Sequence, residues 1–192
     1  MNAKVLTYAT SMCIVATVVV SARPAVASGF DRTLELQGIT FHVSCANDSS
    51  LPTLRIVATG LTTDAAPITR EVDGTVIGAE VADLNMDQSP EIYVFVQSAG
   101  SGSYGSLVAY AAHKRKSLSE IFLPPITENA KASKGYMGHD EFAVVENSLA
   151  RRFPIYRKGD TNAKPTGGTR HLQYKLVEGE AGWVLKVTKI VD

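Results

Sequence analysis

The chain reads as an all-β domain, an antiparallel β-sandwich or a partly closed barrel built from consecutive hairpins, with two longer loops. Two observations predict this. Short runs rich in β-branched and aromatic residues recur along the 192 residues, and turn-forming clusters of Gly, Asp, Asn and Ser separate them. In order the runs are LELQGITFHV at 34–43, LRIVAT at 54–59, ITREV and TVIGAEV around Asp73-Gly74, EIYVFVQ at 91–97 and SLVAYAAH at 106–113. SEIFL at 119–123, EFAVV at 141–145, ARRFPIY at 150–156, RHLQYKLV at 170–177 and GWVLKV at 182–187 complete the set.

Asp73-Gly74 between apolar alternations predicts a two-residue hairpin, because both positions of the tight turn need positive φ. Glu178, Gly179, Glu180, Ala181 and Gly182 are expected to join the last two strands. Two connections break the rhythm, 124–140 and 157–169, the second reading RKGDTNAKPTGGT. Loops of that length usually carry function.

Residues 1–27 read as a secretory signal peptide, leaving 28–192 as one domain. Lys4 supplies the basic start, 5–20 is mostly apolar, and Ala25-Val26-Ala27 offers a small-x-small cleavage site. Thr7, Tyr8, Thr10 and Ser11 dilute the apolar stretch below what a membrane anchor needs. Basic and acidic residues balance at 19 each, and losing Lys4 and Arg23 with the leader gives a small acidic excess. That balance argues against nucleic acid and anionic membrane surfaces as partners. Cys13 departs with the leader, so Cys45 is expected to be a lone, buried, apolar residue. An exported domain without an internal disulfide suits a periplasm.

Hydrolase chemistry finds little support. Ser101 and Ser103 lack the flanking glycines of a G-x-S-x-G turn, and no spacing ties His42, His113, His139 or His171 to them. His139-Asp140-Glu141 lacks the second histidine that a metal site would want. ADLNMDQSPEIYVF is more specific: Asp83, Asn85, Asp87 and Glu91 occupy positions 1, 3, 5 and 9 of a loop entering a strand. The spacing is similar to calcium loops in propeller blades. A turn capped by its own Asp and Asn side chains suits the stretch better, because Gln88 and Val94 stand where a full calcium loop wants glycine and a bidentate Glu; calcium is the alternative. Apart from calcium here, no cofactor is expected.

The stretch GSGSYGS at 100–106 places an aromatic ring in a Gly/Ser turn between two apolar runs. A tyrosine at such a tip is a candidate binding anchor, being large and rigid with a polar end. With SAGSGSYGSLVAY framed by ADLN-x-D-xx-PEIYVF and followed by KSLSEIFLPP, KGYMGHDEFAVVENSLARRFPIY, NAKPTGGTRHLQYKL and EAGWVLKV, the chain resembles the periplasmic inhibitors of invertebrate-type (i-type) lysozyme. The likeness runs from about Leu34 to the C-terminus. The tip also looks like the S-G-x-x-Y loop of inhibitors directed at c-type lysozyme.

The resemblance implies a β-sandwich-like periplasmic protein, not an enzyme, whose loop Ser101, Gly102, Ser103, Tyr104 and Gly105 enters the lysozyme cleft. Ser101 and Tyr104 take the places of the family's key Ser and Tyr, the partner is i-type lysozyme, and a homodimer is implied. Met86 and Gln88 stand where relatives are expected to carry glycine. Secondary contact candidates are Tyr136, His139, Asp140, Arg151 and Arg152. The competing reading is a calcium-stabilised periplasmic binding or adhesion module.

Overall fold

A computed structural model describes residues 29–192; the leader expected at 1–27 lies outside the described residues. The first sheet holds β1 (Phe30–Leu36), β2 (Ile39–Cys45), β3 (Thr53–Thr59) and β4 (Ile68–Glu71), paired antiparallel in that order. The second holds β5 (Thr75–Ala82), β6 (Glu91–Gln97), β7 (Gly105–His113), β8 (Ser117–Phe122), β9 (Glu141–Val145), β10 (Ser148–Pro154), β11 (Thr169–Glu178) and β12 (Trp183–Val191). Its strand order is β5-β6-β7-β8-β12-β11-β10-β9, curled into a nearly closed, barrel-like mixed sheet. The 124–140 connection carries a 3-10 turn at Ile126–Glu128 and the short helix α1 (Ala130–Ser133), its N-terminus capped by the Asn129 side chain on the Ala132 N–H. The predicted all-β class is therefore the observed one.

Three details depart from the hairpin reading. LELQGITFHV is two strands: Gln37 and Gly38, both at positive φ, close a two-residue turn with Leu36 opposite Ile39. Asp73-Gly74, by contrast, joins no hairpin. β4 pairs with β3 and β5 with β6, so this dipeptide carries the chain from one sheet to the other. Gly74 at φ +122° donates its N–H to the Ser50 carbonyl, and a Cβ there would lie 2.2 Å from the Gln97 carbonyl oxygen. The corner needs glycine for space, which sequence periodicity does not report. Consecutive antiparallel pairing also stops at β8, which runs parallel to β12 through Trp183 opposite Ile121 and so bends the sheet toward closure. At the two free edges the Val144 N–H of β9 donates to Glu80 Oε2 of β5 at 2.6 Å.

β6 is the hub of the packing, buried at every position from Glu91 to Val96. Alternation sends Ile92, Val94 and Val96 toward the first sheet, against a cluster that includes Phe41, Val43, Leu54 and Ile56. Tyr93 and Phe95 point into the barrel, in a cluster with Leu149, Phe153, Leu172 and Leu185. Cys45 is a free, buried member of the first cluster. Each fully buried large side chain contributes about 1.5–3 kcal/mol, so these two clusters set the stability and leave the strand ends free to carry a site.

Candidate functional site

The β6–β7 hairpin closes with Gln97 opposite Gly105, and the seven residues between form the Gly/Ser tip. Ser98 continues the ladder, donating its N–H to the Tyr104 carbonyl at 2.9 Å while its Oγ accepts the Tyr104 N–H at 2.9 Å. Within the tip, the Ser103 N–H donates to the Gly100 carbonyl at 2.9 Å, a tight turn with Ser103 at φ 42°.

Both long connections fold over this tip and brace it. From 124–140, the His139 N–H donates to the Gly102 carbonyl at 2.7 Å, and Asp140 Oδ2 accepts the Gly105 N–H at 2.8 Å. From 157–169, Asn162 Nδ2 donates to the Ser101 carbonyl. His139 and Asn162 are joined in turn, Nε2 to Oδ1 at 3.1 Å, and the Tyr156 hydroxyl donates to the Asn162 carbonyl at 2.9 Å. Gly138 makes the approach feasible: it sits at φ +91°, and a Cβ there would fall 2.1 Å from the Gly102 oxygen.

Beneath the tip lies a buried ionic knot. Arg151 of β10 donates from Nε to Asp140 Oδ1 at 2.7 Å and from Nη2 to the Tyr136 hydroxyl at 2.8 Å. The same hydroxyl donates to Asp140 Oδ2 at 2.6 Å. The guanidinium also lies over the rings of Tyr136, Phe142 and Phe153, at 5.1, 5.2 and 5.9 Å from their centroids. Burial works against the Arg151 charge, but the Asp140 hydrogen bond and charge outweigh it and hold the pKa above the ordinary value. For Tyr136, burial and then the Asp140 bond push the phenol upward. A guanidinium this deep needs the hydrogen bonds that Asp140 and Tyr136 give it, and they fix the geometry on which the tip rests.

The Tyr104 ring lies across Gly102 and meets Tyr136 edge-on, centroids 5.7 Å apart at 73°, while Tyr136 meets Phe153 edge-on at 4.8 Å. Tyr104 still exposes 48% of its surface, and Ser101 is exposed beside it. Among the described residues no side-chain hydrogen bond engages the hydroxyl of either. The tip thus presents a half-seated aromatic ring and two uncommitted hydroxyls on a backbone already held in place.

Of the secondary contact candidates, Tyr136 and His139 are half-buried beside the tip and Arg152 is exposed, donating from Nε to Glu141 Oε2 at 2.6 Å. Asp140 and Arg151 are only 2% and 4% exposed and sit beneath the tip, where they support it. Strand alternation explains the difference between the arginines, since β10 turns Arg151 inward and Arg152 outward. Ser98, Gly138, Tyr156 and Asn162 escape a reading of the sequence. For Asn162 the only signal was the length of its loop.

The acidic loop forms at the opposite end of β6. Asp83 Oδ1 accepts the Asp87 N–H at 3.0 Å, Asp83 Oδ2 accepts the Gln88 N–H at 2.9 Å, and Asp87 Oδ1 accepts the Ser89 N–H at 2.8 Å. Asn85 Oδ1 also accepts the Asp87 N–H at 3.2 Å, so the side-chain-capped turn is present. Met86 and Gln88 adopt φ 59° and 62°, the conformation that glycine would adopt more easily. Glu91 is fully buried; its Oε2 accepts the Leu84 N–H at 2.8 Å and the Tyr93 hydroxyl at 3.3 Å. Burial, partly offset by the Leu84 bond and reinforced by the Asp83 charge, pushes its carboxyl up to about 8.

Fold and site together define an all-β scaffold that presents one braced aromatic loop to solvent. Residues 59–134 match the family model described as periplasmic lysozyme inhibitor of I-type lysozyme. The match covers less than half of the chain; it contains β4 through α1 with the whole tip, and it ends before the bracing segment 136–140. No curated protein and no solved structure matched the chain.

Proposed function

We propose that this protein is a periplasmic, non-enzymatic inhibitor of I-type lysozyme that inserts the tip 101–105 into the enzyme's active-site cleft. The observation that carries the reading is Tyr104, half-exposed at the summit of a loop held by hydrogen bonds from two separate connections. The family match across the tip supports the choice of partner.

The chemistry of the cleft suits the loop. Lysozyme chemistry uses one protonated and one ionised carboxyl group flanking the scissile bond. A serine hydroxyl donates or accepts, so Ser101 pairs with either form. The Tyr104 ring fills space shaped for a sugar while its hydroxyl bonds the rim. Because the tip is ordered before the encounter, binding loses little further conformational entropy, and more of the contact energy appears as affinity.

Cell-wall suspensions lysed by I-type, c-type and g-type lysozymes, with and without purified protein, test the reading. Suppressed lysis by the I-type enzyme is the expected result. Undiminished lysis by all three enzymes refutes it.

A further inference from the structure

Asp83, Asp87 and Glu91 each offer a carboxylate oxygen, and these oxygens all lie within 4.8 Å of one another. Three oxygens at that limit lie about 2.8 Å from a common centre, so closing in by a few tenths of an ångström brings all three to the roughly 2.3–2.6 Å that calcium takes. No lysine, arginine or histidine among the described residues forms an ion pair with any of them.

The capping bonds do not exhaust these groups. Each ionised carboxylate has about four acceptor positions; Asp83 takes the Asp87 and Gln88 N–H groups and Gln37 Nε2, and Asp87 takes the Ser89 N–H and Asn85 Nδ2, so each keeps some capacity. Glu91 provides an independent observation. Its side chain is fully buried, and its Oε1 has no hydrogen-bond partner at all. An orphaned carboxylate oxygen in the interior, beside two further carboxylates, is a place for a proton or a cation, and Lys114 and Arg115, which line a cavity with Asp87, form no ion pair with these groups.

From this geometry we infer that Asp83, Asp87 and Glu91 form a site for a hard divalent cation, of which calcium is the chemically favoured kind. The donor set is all oxygen, which selects calcium or magnesium over softer metals. Calcium tolerates irregular geometry, whereas magnesium demands a near-ideal octahedron, and a loop whose oxygens also cap its own backbone is irregular. Bound there, the ion ties the end of β5 to the start of β6, the strand whose other end launches the tip. Its role is to stabilise the frame. It lies apart from the proposed inhibitory contact and does not depend on it.

The test uses purified protein stripped of metal with a chelator, followed by calorimetric titration and thermal melting in calcium, in magnesium and in chelator. Calcium binding that raises the melting temperature by roughly 5 °C or more, with a smaller response to magnesium, is expected. Asp87→Asn keeps an oxygen for the Ser89 N–H but removes one ligand charge without disturbing the core, and it should melt like the parent in chelator yet need markedly more calcium for the same response. Absence of both heat and melting shift at millimolar calcium in the folded parent overturns the site and leaves Glu91 a buried protonated acid. A calcium response retained in full by both Asp87→Asn and Glu91→Gln also overturns it, placing the ion elsewhere.

Discussion

Asp140 Oδ2 accepts the Gly105 N–H at 2.8 Å across 35 positions of sequence, and through that bond the buried Arg151 knot reaches the base of the exposed tip. The tip is therefore held by core electrostatics, although its own residues are small and polar. Two atoms of Asp140 satisfy three donors: Oδ1 takes Arg151 Nε, while Oδ2 takes both the Gly105 N–H and the Tyr136 hydroxyl.

Asp140→Asn should therefore be costly. An amide accepts on one oxygen only, so at least one of the three donors meets an NH2 group and the buried Arg151 charge loses its counterion. Breaking a buried pair in this way costs about 3–5 kcal/mol, a fall in melting temperature on the order of 10 °C. Hydrogen exchange at the Gly105 amide should accelerate relative to core amides of β6. A variant that melts like the parent and protects Gly105 equally would remove Asp140 from its supporting role.

Gly105→Ala tests the same junction by space rather than charge. A Cβ there lies 2.6 Å from Asp140 Cβ and 2.8 Å from the Phe142 ring, both parts of the buried knot. Neither neighbour moves without disturbing Arg151, so a cost of about 1–3 kcal/mol is expected, with weaker inhibition. Gly100→Ala is the control, because a Cβ at that position meets nothing within 4 Å. Equal melting and equal inhibition for the two variants would contradict the close packing of the tip base.

Much of this was legible in the sequence and some was not, for physical reasons. EIYVFV was read as a strand, and its hub position, buried on both faces, follows from its having almost no polar residue to turn outward. The tip was legible because Gly and Ser flanking one aromatic residue have few other uses. What failed was Asp73-Gly74: a dipeptide that favours a tight turn says nothing about which strands pair on either side, and pairing here was decided by β3 and β6. Asp140 and Arg151 were found among the site residues, but their pairing was not, because β-strand alternation can turn Arg151 inward without naming the carboxylate 11 positions away that receives it. Asn162 lay in a loop whose contacts with the tip span 61 positions, beyond any local pattern.

Inhibition of I-type lysozyme by Tyr104→Ala, measured beside its melting curve, bears most directly on the role of the tip. The ring is half-exposed and its principal contact is the edge of Tyr136, worth about 0.5–1.5 kcal/mol, so the melting temperature should fall by no more than a few degrees. Truncating an aromatic anchor at an interface typically costs about 2 kcal/mol or more, which is a loss of affinity near thirtyfold. Tyr104→Phe keeps the ring and should lose less, while Ser101→Ala should cost about 1–3 kcal/mol if it strands a lysozyme carboxyl. A folded Tyr104→Ala protein that inhibits thirtyfold or more weakly is the predicted result; a folded Tyr104→Ala protein that inhibits as well as the parent would contradict it.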